Sequence, residues 1–191
     1  PINPYGETKL IGEWMMADAE KAWGLRWAGL RYFNVAGAGW DDLGDMATLN
    51  LIPMVLDRLS KGETPKIFGT DYPTPDGTCV RDYIHVKDLA SAHIAALDYL
   101  AGGQDMAEHI FNVGTGQGAS VREVVSKVIA STGLDLEPEE LARRAGDPPQ
   151  LIGNATRIGE VLGWKAEHDL DDIVTSSYTS WQADPNRPHF G

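Results

Sequence analysis

Apolar or small residues at Leu10, Ile11, Trp14, Met15 and Ala17 recur at the spacing of one helix face, predicting a helix that stops at Gly24. The cluster LRWAGLRYF (25–33) then predicts a short strand, and NVAGAGWDDLGD (34–45) a glycine-rich acidic loop. Residues 48–60 read as a helix interrupted near Pro53, since proline lacks the N–H that an interior turn uses. KIF (66–68) predicts a strand, 70–78 a turn-rich excursion, and CVRDYI (79–84) another strand. A helix opens at Val86 or Lys87 and runs to Leu100, and HIFNVGTG (109–116) reads as a strand entering a glycine turn. Ser120 caps the helix 121–133, with Glu123 placed to complete a capping box. LEPEE (136–140) and GDPPQ (146–150) read as loops, 155–162 and 170–181 as short helices, and 184–191 as a frayed tail.

Strands alternating with helices make this an α/β pattern. It contains no GxGxxG or GxxGxxG turn of the kind that cradles a dinucleotide pyrophosphate. GAG (37–39) and GTGQG (114–118) lack that spacing and suit tight turns.

Acidic residues outnumber basic ones 28 to 16, a net charge of -12, so no basic stripe exists to follow a nucleic-acid backbone. A phosphorylated small ligand needs only two or three well-placed arginines and stays possible. Cys79 is the only cysteine, which rules out an internal disulfide framework or a cysteine-based metal site and points to a reducing, cytoplasmic compartment. No 18-residue apolar run is present to span a membrane. His85 and His93 have no second ligand at metal spacing and are expected to be structural, so no metal is expected. The six tryptophans are spread along the chain, as separate packing tasks would require.

Tyr5 and Lys9 lie four apart and would share one helix face. An ammonium beside a phenol favours the phenolate, and such a tyrosine can take a proton from a sugar hydroxyl while a nicotinamide accepts hydride. On spacing alone, an ordinary surface helix pair is the expected reading. Asn34 could bind a diphosphate oxygen or cap its loop. Asn50 and Leu51 begin a helix, where exposed N–H groups suit either an ordinary cap or a nucleotide base or phosphate. Arg81 and Arg144 are candidate phosphate clamps because a guanidinium grips phosphate oxygens bidentately. Asp82 is the alternative partner for Arg81, and Asp147 could accept from ribose hydroxyls or salt-bridge Arg144.

In series these signals are specific. PYGETK (4–9), LRYFNVAGA (30–38), NLIP (50–53) and IFGTDYPTPDGTCVRDYIHVKDLASAH (67–93) closely resemble the UDP-galactose (UDP-glucose) 4-epimerases of the extended short-chain dehydrogenase/reductase superfamily. FNVGTGQGASV, ARRAGDPP and LGW extend the resemblance over essentially the whole chain.

The resemblance implies the C-terminal part of that fold, with the end of the Rossmann domain, a smaller mixed α/β substrate domain, and the N-terminal Rossmann half absent. Residues 1–35 would be the Rossmann remnant and 36–191 mainly the UDP-sugar domain, with about 80–115 returning to the Rossmann sheet. Tyr5 would be the base on the sugar 4-hydroxyl, and Lys9 would assist it and hold the nicotinamide ribose of NAD. Tyr32 and Phe33 would lie near nicotinamide and hexose. Asn34, Arg81, Arg144 and Asp147 would hold the UDP, and Asn50, Leu51 and Phe68 would line its uridine and phosphate side. Leu151 would sit where side-chain size limits the sugar pocket, leaving acceptance of N-acetylated sugars open. A homodimer is implied for the parent enzyme, with the helix carrying Tyr5 as the place to look. Without the glycine-rich NAD turn, the 191 residues alone are expected neither to bind NAD normally nor to epimerise. A nucleotide-sugar dehydratase, decarboxylase or uronate epimerase, or a non-catalytic sugar-nucleotide-binding module, are the alternatives.

Overall fold

In a computed structural model describing residues 1, 3–45, 47–103, 106 and 108–190, the first helix, α1 (Pro4–Trp23), begins at Asn3. The Asn3 carboxamide accepts from the Gly6 N–H at 2.9 Å. Gly24 closes the helix in the left-handed region (φ 67°) that glycine adopts without steric cost. Only Ala19 of α1 is buried, whereas Ile11, Trp14 and Met15 are exposed.

Next, β1 (Gly29–Tyr32) and β2 (Asn34–Ala36) form one extended run that changes neighbours at Phe33. Then come α2 (Leu51–Ser60), β3 (Lys66–Phe68), β4 (Val80–His85), α3 (Val86–Ala101) and β5 (Ile110–Val113). They are followed by β6 (Gly118–Ser120), α4 (Val121–Thr132), β7 (Glu139–Leu141), β8 (Gln150–Leu151), α5 (Thr156–Leu162) and α6 (Leu170–Ala183). β1 pairs in parallel with β5, and β2 in parallel with β4. β4 also carries β6 antiparallel and β8 parallel, while β3 pairs with β7.

Two apolar clusters hold these layers together. Ile52, Val55 and Leu56 of α2 pack with Val124 and Val128 of α4 and Ile173 and Trp181 of α6. Ile84, Phe111 and Val113 of the strands pack with Ala92 of α3, Ile158 and Trp164. Fully burying one such side chain contributes roughly 1.5–3 kcal/mol.

Several expectations are corrected. Pro53 does not interrupt α2: it lies in the first turn, where its missing N–H has no intrahelical partner to lose. The supposed loops at 34–45, 136–140 and 146–150 contribute β2, β7 and part of β8, because partner strands distant in sequence supply their ladders. Ser120 accepts from the Glu123 N–H at 3.0 Å as expected, but the complete capping box is the one between Asp169 and Asp172 at the start of α6. The tail folds back instead of fraying: Arg187 lies 4.2 Å from the Trp181 ring, and Phe190 packs against Tyr178. Trp14, Trp23 and Trp40 are exposed, so core packing occupies only Trp27, Trp164 and Trp181.

Asp82, at the centre of β4, is 1% exposed and ties three segments together. Its carboxylate accepts from the Thr115 N–H (2.9 Å), the Thr115 hydroxyl (2.7 Å), the Gly116 N–H (3.0 Å) and the Gly153 N–H (3.1 Å). A Cβ on Gly114 would lie 2.6 Å from the Asp82 carboxylate, so only glycine lets this turn approach. Substituting Asp82→Ala leaves these donors without a partner, each at a cost of about 1–3 kcal/mol. Urea unfolding should show a loss of at least about 3 kcal/mol. A loss under about 1 kcal/mol would mean that water replaces the carboxylate.

Candidate active site

Strand alternation explains what β4 does on its other face. With Asp82 turned toward the 114–116 turn, Cys79, Arg81 and Tyr83 share the opposite side and line a cavity of 220 Å³. Asn34 of β2, Leu51 of α2, Phe68 of β3, and Arg144 and Asp147 of the segment after β7 complete its wall. Six of the sequence candidates therefore meet in one place.

Arg81 is nearly buried and donates to the Val80 carbonyl at 2.9 Å, with Asp147 3.6 Å away across the cavity. Asp82 is not its partner, since neighbouring residues of a strand face opposite ways. The Arg144 guanidinium lies 3.9 Å from the centre of the Phe68 ring, a cation–π contact that leaves its edge donors available. Arg58 and Lys66 also line the cavity, so four cations face one carboxylate in a chain of net charge -12. Burial pushes the Tyr83 phenol up to about 12, opposed by the Asn34 amide that hydrogen-bonds it and by the Arg81 charge.

An adjoining recess of 370 Å³ shares Asn34, Leu51 and Tyr83 with this cavity and adds Phe33 and Asn50. Asn50 occupies the N-cap position of α2, but its amide donates to the Asp45 carboxylate at 2.8 Å and makes no cap bond. Leu151 stands apart from both: it is half-exposed in β8, in register beside Arg81. Together the two hollows reach the size range of small-ligand sites, roughly 300–1,000 Å³.

Tyr5, Lys9 and Tyr32 line a separate groove of 680 Å³ between α1 and β1. The Lys9 ammonium lies 5.2 Å from the Tyr5 ring centre, as their i, i+4 spacing in α1 predicts. Tyr5 is 72% exposed, so its hydroxyl is open to a ligand. The Tyr32 hydroxyl bonds the His93 Nε2 at 2.7 Å while the His93 Nδ1–H donates to the Leu89 carbonyl. Arg31, the next residue along β1, instead holds Glu13 of α1 through two 2.6 Å bonds.

His85 is structural. Its Nδ1 accepts from the Lys87 N–H at 3.0 Å, capping α3, and its Nε2–H donates to Ser176 Oγ at 3.0 Å. It stacks at 4.4 Å on His168, which Asp88 holds through both its backbone N–H and Nδ1. Burial, and then the neighbouring His168, push the His85 imidazole below its ordinary range. Among the described residues no group of three or more His, Cys, Asp and Glu is placed to hold a metal ion, and no helix is long and apolar enough to cross a membrane.

A model of the NAD dependent epimerase/dehydratase family matches residues 1–114. The chain belongs to this family. A UDP-glucose 4-epimerase of Azospirillum brasilense is 49% identical over 186 residues, 95% of this chain and 53% of that protein. The fold superposes with a TM-score of 0.85 on the UDP-glucose 4-epimerase of Brucella ovis solved with NAD, at 44% identity, covering 93% of this chain and 56% of that one. The Bifidobacterium longum UDP-glucose 4-epimerase, solved with NAD+ and UDP, gives a TM-score of 0.84 at 38% identity, covering 97% and 56%. The chain thus spans about half the length of the curated relatives it matches.

Sequence reasoning passed over Tyr83, Lys66 and Arg58. The signal for Tyr83 and Lys66 was present: with Arg81 and Phe68 taken as ligands, a period of two places Tyr83 and Lys66 on the same faces. For Arg58 the sign was helical: with Leu51 taken as a ligand, Met54, Val55 and Arg58 follow at i+3, i+4 and i+7 on the same face of α2, and all line the cavity.

Two buried groups set pH limits. His85, depressed in the fold, contributes stability in full above about pH 6.5 and loses it as pH falls below that value. Tyr83, raised in the fold, contributes below pH 10 and loses its share as pH rises toward 12, by about 2–3 kcal/mol in all. Urea midpoints measured against pH should fall at both ends. Tyr83→Phe should flatten the alkaline limb, and an unchanged limb would assign it to other tyrosines.

Proposed function

We propose that this chain carries the nucleotide-sugar site and the tyrosine–lysine pair of an epimerase that interconverts UDP-glucose and UDP-galactose through a 4-keto intermediate. The observation that supports it most is the meeting of Asn34, Leu51, Phe68, Arg81, Arg144 and Asp147 at one cationic cavity in an acidic chain. Arg81 and Arg144 hold the diphosphate, with Asn34 as a further donor, and Asp147 accepts from ribose hydroxyls. Leu51, Phe68 and the Asn50 end of α2 bound the uridine side, while Phe33 reaches toward the hexose. Leu151 lines neither hollow, and its register beside Arg81 is what supports its limiting the room left for the sugar.

Epimerisation through a ketone requires the sugar to present both faces in turn, so the nucleotide must be gripped firmly and the hexose loosely. Arginines concentrated at one end meet that requirement. Tyr5 takes the proton of the 4-hydroxyl and returns it to the opposite alcohol. Lys9 holds the Tyr5 ring and hydrogen-bonds the nicotinamide ribose, beside Tyr32. The groove they line suits one wall of an NAD site, and no glycine-rich pyrophosphate turn occurs within these 191 residues. NAD, when bound, supplies the hydride acceptor and donor for the sugar carbon.

In this reading residues 1–35 belong to the dinucleotide-binding domain and 36–191 mainly to the sugar domain, with about 80–115 returning to the former; pairing of β1 with β5 supports it. The exposed Ile11, Trp14 and Met15 on α1 suit a second copy of the chain, and the single reduced cysteine suits the cytoplasm.

Chromatography of UDP-glucose incubated with NAD and the protein tests the assignment. With an NAD-binding region present, UDP-galactose should form; the 191 residues alone should give none. Dehydrated or decarboxylated products would overturn the assignment in favour of the related reactions. Tyr5→Phe should lower kcat by about 10²–10⁴-fold. Arg144→Ala should chiefly raise KM, by tenfold or more for a lost charge-assisted phosphate contact of about 1.5–3 kcal/mol.

A further inference from the structure

We propose that Arg143, which stays outside the cavity, is a positioning residue that clamps the segment bearing Arg144 and Asp147 onto the 70–78 loop; this rests on the nucleotide-sugar reading of that cavity.

Residues 142–147 have no regular structure, yet they present two of the cavity's charged side chains. Upstream, the β3 and β7 ladder ends at Phe68 and Leu141, prolonged by the Gly69 N–H donating to the Leu141 carbonyl at 2.8 Å. Beyond that point Arg143 supplies the connection. Its Nε donates to Asp71 Oδ1 at 2.5 Å, its Nη2 donates to the Asp71 carbonyl, and the guanidinium lies 4.3 Å from the centre of the Tyr72 ring. A fork satisfied by side chain, backbone and ring face together fixes direction as well as distance. Arg144, the next residue, leaves the other side of the chain and covers Phe68 at 3.9 Å inside the cavity.

The platform under Arg143 is itself braced. The Tyr72 N–H donates to the Gly77 carbonyl at 2.8 Å, and the Thr74 hydroxyl to the Thr78 carbonyl at 2.6 Å. Asp76 accepts from Thr78 twice and from the Ser120 hydroxyl, joining the loop to the start of α4. A Cβ on Gly69 would lie 2.4 Å from the Tyr72 ring and 2.8 Å from the Arg143 side chain, so the clamp seats closely. The Arg143 guanidinium holds the Asp71 carboxyl below its usual range, so the pair stays charged at neutral pH. A preset Arg144 has less freedom to lose when it meets a phosphate.

Calorimetric titration of UDP into the full 191-residue chain and its variants tests this, with Arg144→Ala as the reference. Arg143→Ala should weaken UDP binding by about tenfold and Asp71→Ala by a smaller factor. The double variant should be no weaker than Arg143→Ala, and Arg143→Lys, which keeps the charge on a compact ammonium but loses the planar fork, should fall between. Unchanged affinity in Arg143→Ala overturns the proposal. So does Asp71→Ala binding UDP as well as or better than the parent while Arg143→Ala weakens it, because Arg143 would then touch the nucleotide directly. Failure of the parent chain to bind UDP, or an Arg144→Ala variant that binds equally well, would instead sink the cavity reading and the clamp with it.

Discussion

The carboxylate of Asp82 is the constraint on which the rest of this structure depends. β4 is buried continuously from Asp82 to His85, so it lacks the in-and-out alternation that would by itself pin a strand's register. A buried carboxylate meeting four directed donors from two distant turns cannot slide. Once Asp82 is fixed toward the 114–116 turn and Gly153, the pleat sends Arg81 and Tyr83 to the other face. The cavity proposed to hold the nucleotide is the far side of a structural hydrogen-bond hub.

The cavity reconciles a strongly acidic chain with the anionic ligand proposed for it. Its cations are held by acceptors they already possess: Arg58 has Glu63, Lys66 has Glu139 and Arg81 has Asp147. These pairs are partly exposed and individually weak. Even Arg81, itself nearly buried, meets Asp147 only at 3.6 Å and Asp147 is half-exposed, so the proposed diphosphate would have a loosely held partner to displace and not a fully buried ion pair. Phe68 contributes differently, offering a face to Arg144 that orients the guanidinium without using its donors.

The extended run of residues 29–36 relates the α1 groove to the cavity and its adjoining recess. Tyr32 lines the groove with Tyr5 and Lys9, whereas Phe33 and Asn34 turn to the recess and cavity beyond. Successive residues rise only about 3.3 Å, so a rigid strand fixes the separation between the groove proposed for proton transfer and the cavity proposed for the nucleotide. The change of partner from β5 to β4 at Phe33 lets one strand serve both sites.

Local chemistry determined much of this. Asn3 and Gly24 delimit α1, Ser120 and Gly133 delimit α4, and the spacing of Tyr5 and Lys9 places them on one face, because caps and periodicity act within a few residues. The motif series marked six residues of the cavity. What the chain could not declare locally were the short strands β2, β7 and β8, which exist only because distant partners complete their ladders. The same holds for which face of β4 turns to Gly153 and the 114–116 turn, and for the convergence of α2, β3, β4 and the segment carrying Arg144 and Asp147 on one cavity. Those features require two segments far apart in sequence to meet, and only the tertiary structure decides which ones do.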